Sequence, residues 1–265
     1  MKNSDCIEYA AQTDVGLMRL HNEDAIVVDP ENALAVLADG MGGYNAGEVA
    51  SEIAVSVIKE YVNDKLGGFL SMLIPHRPNE LLEIVEQAVE LANNTILNTS
   101  LHEAQYMGMG TTLVMSLCYG DILIVAHVGD SRAYRLRDRE LVQISRDHSV
   151  VQEQIDAGMI SAESAQYSDI KNLVTRAVGV GFPVEVEVNR HQIAVGDIYM
   201  LCSDGLSDML TTPMMQNILL SEEKTLQEMC SELVQEANHQ GGRDNISVIL
   251  FRINGIRNTG LKQLF

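Results

Sequence analysis

The sequence has few basic residues for its length. It carries 18 Lys and Arg against 37 Asp and Glu among 265 residues, which gives a formal net charge of -19. Nucleic acids and anionic membranes attract proteins mainly through Lys and Arg. The shortage therefore argues against both as the main partner, and we expect neither nucleic acid nor membrane to bind.

Paired cysteines and long apolar runs are also missing. The four cysteines form no C-x-x-C pair, which argues against a disulfide framework and predicts buried thiols in a reducing compartment. No uncharged apolar stretch is long enough to span a bilayer. The N-terminus is polar and leads into no signal-peptide core. These observations predict a cytoplasmic location.

The chain shows no internal repeat, no linker and no low-complexity segment, so we expect a single domain over residues 1–265. Its 46% of hydrophobic residues is typical of a globular protein. Residues 145–181 contain no long apolar run and are predicted to cross the surface, poorly anchored. The tail from about residue 254 to 265 is predicted to be loose. The sequence indicates no role for residues 64–80.

Four acidic residues each stand where a predicted buried strand meets a glycine-containing loop. They are Asp39, Asp130, Asp204 and Asp244. One acid beside a glycine after a strand is usually an ordinary turn. Four such junctions indicate that the carboxylates could share one end of the core. Because clustered carboxylates repel one another, they need cations, and an oxygen-only ligand set favours Mg²⁺ or Mn²⁺ over zinc.

The apolar spacing predicts a helix over 48–62 and a longer one from about 80 to 101, capped by Asn79. Strands in hairpins with helices in separate blocks predict an α+β fold of antiparallel sheets covered by helices.

Eight motifs extend over residues 12 to 247. They are Arg19-x-x-Asn22-Glu23-Asp24, Asp39-Gly40-Met41-Gly42-Gly43, Gly110-Thr111-Thr112, Gly129-Asp130-Ser131-Arg132, Asp147-His148-Ser149, Thr175-Arg176-Ala177-Val178-Gly179, Ser203-Asp204-Gly205-Leu206 and Gly242-Arg243-Asp244-Asn245. In number and order they resemble the metal-dependent serine/threonine protein phosphatases of type 2C, the PPM family, in its bacterial branch.

The resemblance implies a four-layer αββα sandwich, with a flap over about residues 146–175. It implies that Asp39 bridges two Mg²⁺ or Mn²⁺ ions and that the Gly40 carbonyl binds one of them. Asp204 and Asp244 would hold the other metal. A weak third metal would lie at Asp130 and Asp204. Metal-bound water would be held by Asp24 or Glu23.

The implied activity is hydrolysis of phosphoserine and phosphothreonine on proteins by a metal-activated water or hydroxide. Arg19 would bind the substrate phosphate, since its planar guanidinium matches two phosphoryl oxygens. Taken without the resemblance, Arg19 would rather be predicted as a surface residue paired with Glu23 or Asp24. The substrates would be the products of a bacterial Ser/Thr kinase, and we expect a monomer.

The proton donor for the leaving group is left open. Family members carry a His either directly after the Asp-Gly or directly after the Gly-Gly, and this chain has Met41 and Tyr44 there. His148 is one candidate, a structural role for it is another, and a metal-bound water could also serve.

The sequence leaves two alternatives to the phosphatase function. A non-catalytic pseudophosphatase of the same fold would usually lack one of the acids, and all are present. A small-molecule phosphoesterase is the other alternative, and the acidic balance argues only against polynucleotide substrates.

Overall fold

The computed structural model describes residues 6–43, 46–67, 76–161, 164, 170 and 173–256. Within these residues two antiparallel sheets stack face to face, and helices cover their outer faces. The strands are β1 Ile7–Asp14, β2 Asp24–Asp29, β3 Leu34–Met41, β4 Gly110–Thr111, β5 Leu113–Tyr119, β6 Ile122–Val128, β7 Arg132–Arg137, β8 Glu140–Gln143, β9 Glu187–Gln192, β10 Ile198–Cys202 and β11 Ile246–Ile253. The helices are α1 Ala46–Leu66, α2 Pro78–His102, α3 Val150–Asp156, α4 Asp204–Ser207, α5 Thr212–Leu219 and α6 Leu226–His239, with a 3₁₀ turn at Ala104–Tyr106.

One sheet has the strand order β1-β11-β10-β7-β8, and the other has β2-β3-β5-β6-β9 with β4 beside the end of β3. Helices α1 and α2 pack on the second sheet, while α5 and α6 pack on the first. The predicted αββα sandwich is therefore confirmed.

The central strand β3 is buried on both faces, which explains its unbroken apolar run. Leu34 and Val36 point toward the helices α1 and α2. Ala35 and Leu37 point the other way, into the layer between the sheets, where Phe251 of β11 belongs to the same cluster. Because side chains alternate along a strand, a two-sided core requires apolar residues at every position.

The long helix α2 begins differently from the prediction. Its N-cap is Arg77 rather than Asn79, and Pro78 occupies the first turn. The Glu80 carboxylate accepts a hydrogen bond from the Arg77 backbone N–H at 3.3 Å. Proline fits this position because its φ is already helical and its missing N–H needs no partner there. Among the described helices, none combines the length and apolar character needed to cross a membrane.

The segment 145–181 is anchored at both ends, so the expectation of poor anchoring is wrong there. The His148 N–H donates to the Gly129 carbonyl at 2.9 Å, and the Thr175 N–H donates to the His148 carbonyl at 2.8 Å. Further on, the Gly179 N–H donates to the Asn93 side chain at 2.7 Å. Residues 162–163, 165–169 and 171–172, in its middle, lie outside the described residues.

The start of the predicted tail is also held in place. The backbone N–H groups of Asn254 and Gly255 both donate to the Cys6 carbonyl, at 2.8 and 3.0 Å. Residues 257–265 lie outside the described residues, as do residues 68–75 of the 64–80 segment and Tyr44.

Candidate metal centre and cleft

Asp39 and Asp24 are brought together by strand pairing. The β2–β3 register places them directly opposite each other, although fifteen positions separate them in sequence. The Asp39 backbone is held on its other side, since its carbonyl accepts from the Thr112 N–H at 2.8 Å and from the Thr111 hydroxyl at 2.9 Å. The carboxylate of Asp39 therefore stands on a fixed strand end.

Asp204 comes from the other sheet. It follows β10 as the first residue of α4, directly after Ser203. The Ser203 hydroxyl donates to Asp24 Oδ2 at 2.9 Å, and its backbone N–H donates to the Ser247 carbonyl at 3.1 Å. These bonds connect the acid-bearing ends of the two sheets.

Asp244 lies before β11 and is paired with Arg19. Arg19 Nη2 donates to Asp244 Oδ2 at 2.7 Å, and the side chains are 54% and 30% exposed. The surface ion-pair alternative considered for Arg19 thus forms with Asp244 in this structure, whereas the sequence pointed to Glu23 or Asp24.

The neighbouring Asn245 fixes the loop that carries Arg19. Its amide nitrogen donates to the carbonyls of Val15 and His21 at 2.9 and 3.0 Å. Its amide oxygen accepts from the Glu23 N–H at 2.8 Å. The motif containing Asn245 was noticed in the sequence, but this tertiary role was not predicted.

A cleft of about 460 Å³ opens beside these groups. Its wall consists of Met18, Arg19, Leu20, His21, Glu23, Asp39, Gly40, Met41, Gly42, Thr112, Asp130, Val174, Asp204, Asp244 and Asn245. All the site residues predicted from the sequence are on this wall except Asp24, which lies behind Asp39. The structure also adds His21, Met18, Leu20 and Val174, for which the sequence offered no signal beyond proximity to the motifs.

Burial and the charges of neighbouring carboxylates raise the pKa of four acids, Asp24, Asp39, Asp130 and Asp204. Burial, followed by the charges of neighbouring carboxylates, raises the pKa of Asp39 and of Asp204 well above the usual range. Burial likewise raises the pKa of Asp24 and of Asp130 to about 6. For Asp39 the charged neighbours that act most strongly are all carboxylates. A cation is the group this set of acids lacks.

The donor set fits a divalent cation. Asp24 Oδ1 is buried and makes no hydrogen bond. Buried carboxylate oxygens are normally paired, so this atom indicates a missing partner. The carboxylates, the Gly40 carbonyl and space for water on one side match the oxygen ligands that Mg²⁺ and Mn²⁺ prefer.

Glycines allow the backbone to pack closely around the acids. A Cβ at Gly40 would lie 2.1 Å from the Gly47 carbonyl oxygen, so β3 and the start of α1 touch directly. A Cβ at Gly205 would lie 1.9 Å from the Asn245 carbonyl oxygen. Both contacts involve backbone atoms that cannot move aside, and any side chain would displace a strand end.

His148 is not on the cleft wall. It is 4% exposed, and its Nδ1 accepts from the Gly129 N–H at 3.2 Å. Burial, then His127 and Arg176, lowers the pKa of His148 to about 4, so the ring is neutral at pH 7. These contacts support the structural role for His148 and not that of proton donor.

His148 also lies close to His127 and Glu187, three groups that can each bind metals. The two imidazole rings are stacked, with centroids 4.7 Å apart and planes tilted by 15°. Because ring lone pairs lie in the ring planes, nearly parallel rings cannot point at one ion. The cluster of His127, His148 and Glu187 therefore has a packing role and is not a metal site.

Comparison with known proteins agrees with the geometry. The family model described as protein phosphatase 2C matches residues 18–250. The serine/threonine protein phosphatase PstP of Mycobacterium tuberculosis is 37% identical over 244 residues, which cover 92% of this chain and 44% of PstP. The chain thus spans less than half the length of that relative.

Another relative matches along nearly its whole length. The serine/threonine phosphatase stp of Listeria monocytogenes is 36% identical over 90% of this chain and 93% of its own. The solved catalytic domain of PstP in complex with two manganese ions is 36% identical, with a TM-score of 0.81 over 93% of this chain and 98% of that domain.

Proposed function

The chain belongs to the protein phosphatase 2C family, and from this we propose that it hydrolyses phosphoserine and phosphothreonine esters on proteins. The observation that carries the proposal is the convergence of five carboxylates, those of Glu23, Asp39, Asp130, Asp204 and Asp244, and one arginine on a single cleft. Acids alone would repel a phosphate dianion, so the cleft suits a phosphate ester only when cations are bound.

We propose that the cleft holds two Mg²⁺ or Mn²⁺ ions and a weaker third. Asp39, Asp204, Asp244 and the Gly40 carbonyl would bind the first two, as the family resemblance implies. Asp130 would share the third with Asp204, while Glu23 or Asp24 would hold metal-bound water. When bound, such ions make hydroxide available near neutral pH and offset charge on phosphoryl oxygens.

Arg19 is proposed to bind the substrate phosphate. Its side chain lines the cleft and is half exposed, and one nitrogen is engaged by Asp244. A guanidinium has five N–H donors in a planar fork. Arg19 can therefore keep the Asp244 contact and still offer donors to phosphoryl oxygens.

The substrates are proposed to be proteins phosphorylated by a bacterial Ser/Thr kinase, and the protein is proposed to act in signalling as a cytoplasmic monomer. Free, buried cysteines at all four positions support a reducing location. The proposed domain is the whole of residues 1–265, with its flap at about 146–175.

The direct test is phosphate release from a phosphothreonine peptide, a nucleotide and p-nitrophenyl phosphate, with Mn²⁺ and with chelator. We expect peptide hydrolysis that needs metal. Preference for the nucleotide would indicate a small-molecule phosphoesterase, and peptide binding without release would indicate a pseudophosphatase.

The phosphate-binding role of Arg19 is tested separately. Arg19→Ala should raise KM for the peptide more than it lowers kcat, with Arg19→Lys intermediate.

A further inference from the structure

Apolar side chains stand exposed around the acidic cleft. Met18 is 72% exposed and Leu20 is 91% exposed, and both line the cleft. Val174 contributes to the same wall, and the preceding residue, Leu173, is 53% exposed. We refer to these four residues as the apolar rim. Scattered exposed apolar residues are ordinary, but a group around a polar cleft indicates a contact surface.

The part of the rim from the loop between β1 and β2 is held rigidly. The N–H groups of Leu17 and Met18 both donate to the Gly242 carbonyl, at 2.8 and 3.2 Å. Asn245 secures the carbonyls on either side of this stretch, at Val15 and His21. These bonds fix the loop on both sides of Leu20, while the side chains of Met18 and Leu20 face solvent.

The other part of the rim, Leu173 and Val174, is held by backbone contacts with Ser149 and Val150 at the start of α3. Val174 pairs with Ser149 in an isolated β-bridge, and the Val150 N–H donates to the Leu173 carbonyl at 2.9 Å. A contact surface fixed before binding loses little conformational entropy when its partner arrives. The rim thus has the property expected of a preformed docking surface.

We propose that the apolar rim binds the residues that flank the phosphorylated residue of a protein substrate, and that it selects apolar flanks. The proposal rests on the proposed function. A phosphoserine side chain is short, so a phosphoryl group inside the cleft brings the flanking peptide against the cleft wall. Met18, Leu20 and Val174 are apolar residues of that wall, as is Met41.

Charge supports the same choice of partner. Glu23 lies on the wall with the carboxylates, and the whole chain carries a net charge of -19. Acidic flanks would meet repulsion there, whereas apolar flanks would remove the rim from water. The substrate class is therefore a phosphopeptide with large apolar residues, rather than acidic ones, beside the phosphorylated residue.

The test uses three phosphoserine peptides that differ only at the flanking residues, which are Leu, Gln or Glu. With Mn²⁺ we expect kcat/KM to be about tenfold higher for Leu than for Gln flanks, the effect of burying one such side chain. The Gln peptide should exceed the Glu peptide. The Leu preference over Gln should persist at 0.5 M salt, where exposed charges are screened.

The matched variants are Leu20→Ser on the rim and Leu101→Ser at the end of α2, where Leu101 is 74% exposed and not on the cleft wall. Leu20→Ser should reduce the Leu-to-Gln ratio several-fold, and Leu101→Ser should not change it. Equal rates for Leu and Gln flanks, or the same ratio in Leu20→Ser, would overturn the proposal. If no peptide is hydrolysed while p-nitrophenyl phosphate is, the proposed protein phosphatase function itself fails.

Discussion

Two groups of buried carboxylates in this molecule differ in their partners. Asp147 and Asp197 each lie against one arginine. Arg132 donates to both oxygens of Asp147, with its shortest bond at 2.6 Å, and Arg137 does the same for Asp197, also at 2.6 Å. We call these the arginine-paired acids. The cleft acids Asp39 and Asp204 instead have other carboxylates as their strongest charged neighbours.

Burial acts on both Asp197 and Asp39, yet their pKa values are shifted in opposite directions. Burial alone would raise the pKa of Asp197, but hydrogen bonds from Arg137 and from the Ala194 N–H lower it overall. Asp39 has no such compensation among its strongest neighbours, and its pKa is raised. Removing the arginine from an arginine-paired acid should destabilise the fold, whereas a buried acid without a cationic partner indicates a ligand site.

The largest expected effect is a loss of turnover when a cleft acid, but not an arginine-paired acid, is neutralised. Asp39→Asn should lower metal-dependent turnover on the order of a thousandfold, because the cation site loses a charge. The same variant should be as stable as the wild type, or more stable, in chelator, because one source of repulsion is gone. Phosphate release and thermal melting, measured together, check both expectations.

The matched control is Asp197→Asn. It should retain turnover within a few-fold and lower the melting temperature. If Asp39→Asn turned over normally at ordinary metal concentrations, the distinction between the groups would not hold.

A second prediction compares two histidines, His21 on the cleft wall and the buried His148. His21 lines the cleft, whereas His148 is buried beside Gly129. When the P–O bond to serine breaks, the serine oxygen needs a proton, which a ring N–H of His21 can supply. His21→Gln should lower turnover of a phosphoserine peptide by about a hundredfold. Turnover of p-nitrophenyl phosphate, whose leaving group needs no proton, should fall much less.

His148→Asn serves as the comparison, since the Asn oxygen can accept from the Gly129 N–H as Nδ1 does. We expect it to alter the melting temperature and to lower both substrates' rates by the same factor. A selective loss of peptide turnover in His148→Asn, with none in His21→Gln, would reverse the two assignments.

The third prediction concerns the free energy of unfolding when an arginine-paired acid loses its arginine. Arg137→Ala leaves Asp197, whose side chain is 2% exposed, without its guanidinium. Removing one partner of a buried pair costs about 3–5 kcal/mol in the free energy of unfolding. We expect the lower end, because Asp197 keeps the Ala194 N–H and Tyr199 hydroxyl as donors. Denaturant unfolding of Arg137→Ala and wild type gives the difference, and a change below about 1 kcal/mol would contradict it.

The smallest expected effect is a pH dependence in metal-free protein. Because the pKa of Asp24 and of Asp130 is raised to about 6, the folded state binds more protons than the unfolded chain between about pH 4 and 6. The contribution of these groups to stability is therefore present below that window and lost as pH rises through it. Asp197 has the opposite sign, since its lowered pKa gives stability that is lost as pH falls.

Melting temperatures in chelator from pH 4 to 7 measure this dependence. Asp24→Asn should flatten the decline above pH 4, and saturating Mn²⁺ should remove it in the wild type. An Asp24→Asn profile parallel to that of the wild type would show that these acids do not carry the effect.

Much of the fold could be predicted from local pattern. The helices predicted over 48–62 and from about 80 to 101 are found at Ala46–Leu66 and Pro78–His102, within a few residues. The start of α2 was wrong because Pro78 competes with Asn79 for the first turn, and sequence pattern does not rank such neighbouring alternatives. The anchoring of residues 145–181 was missed because its partners, such as Gly129 and Asn93, are distant in sequence.

By itself the sequence determined the acids at four strand ends, the motifs in family order and the shortage of basic residues. These are local or compositional properties, readable wherever the chain folds. Only the tertiary structure decided that Asp24 faces Asp39, that Arg19 pairs with Asp244, and that His21 reaches the cleft while His148 does not. The physical reason is that strand register and sheet stacking bring together distant residues, such as Arg19 and Asp244, which are 225 positions apart. No local periodicity encodes which side chain then faces which.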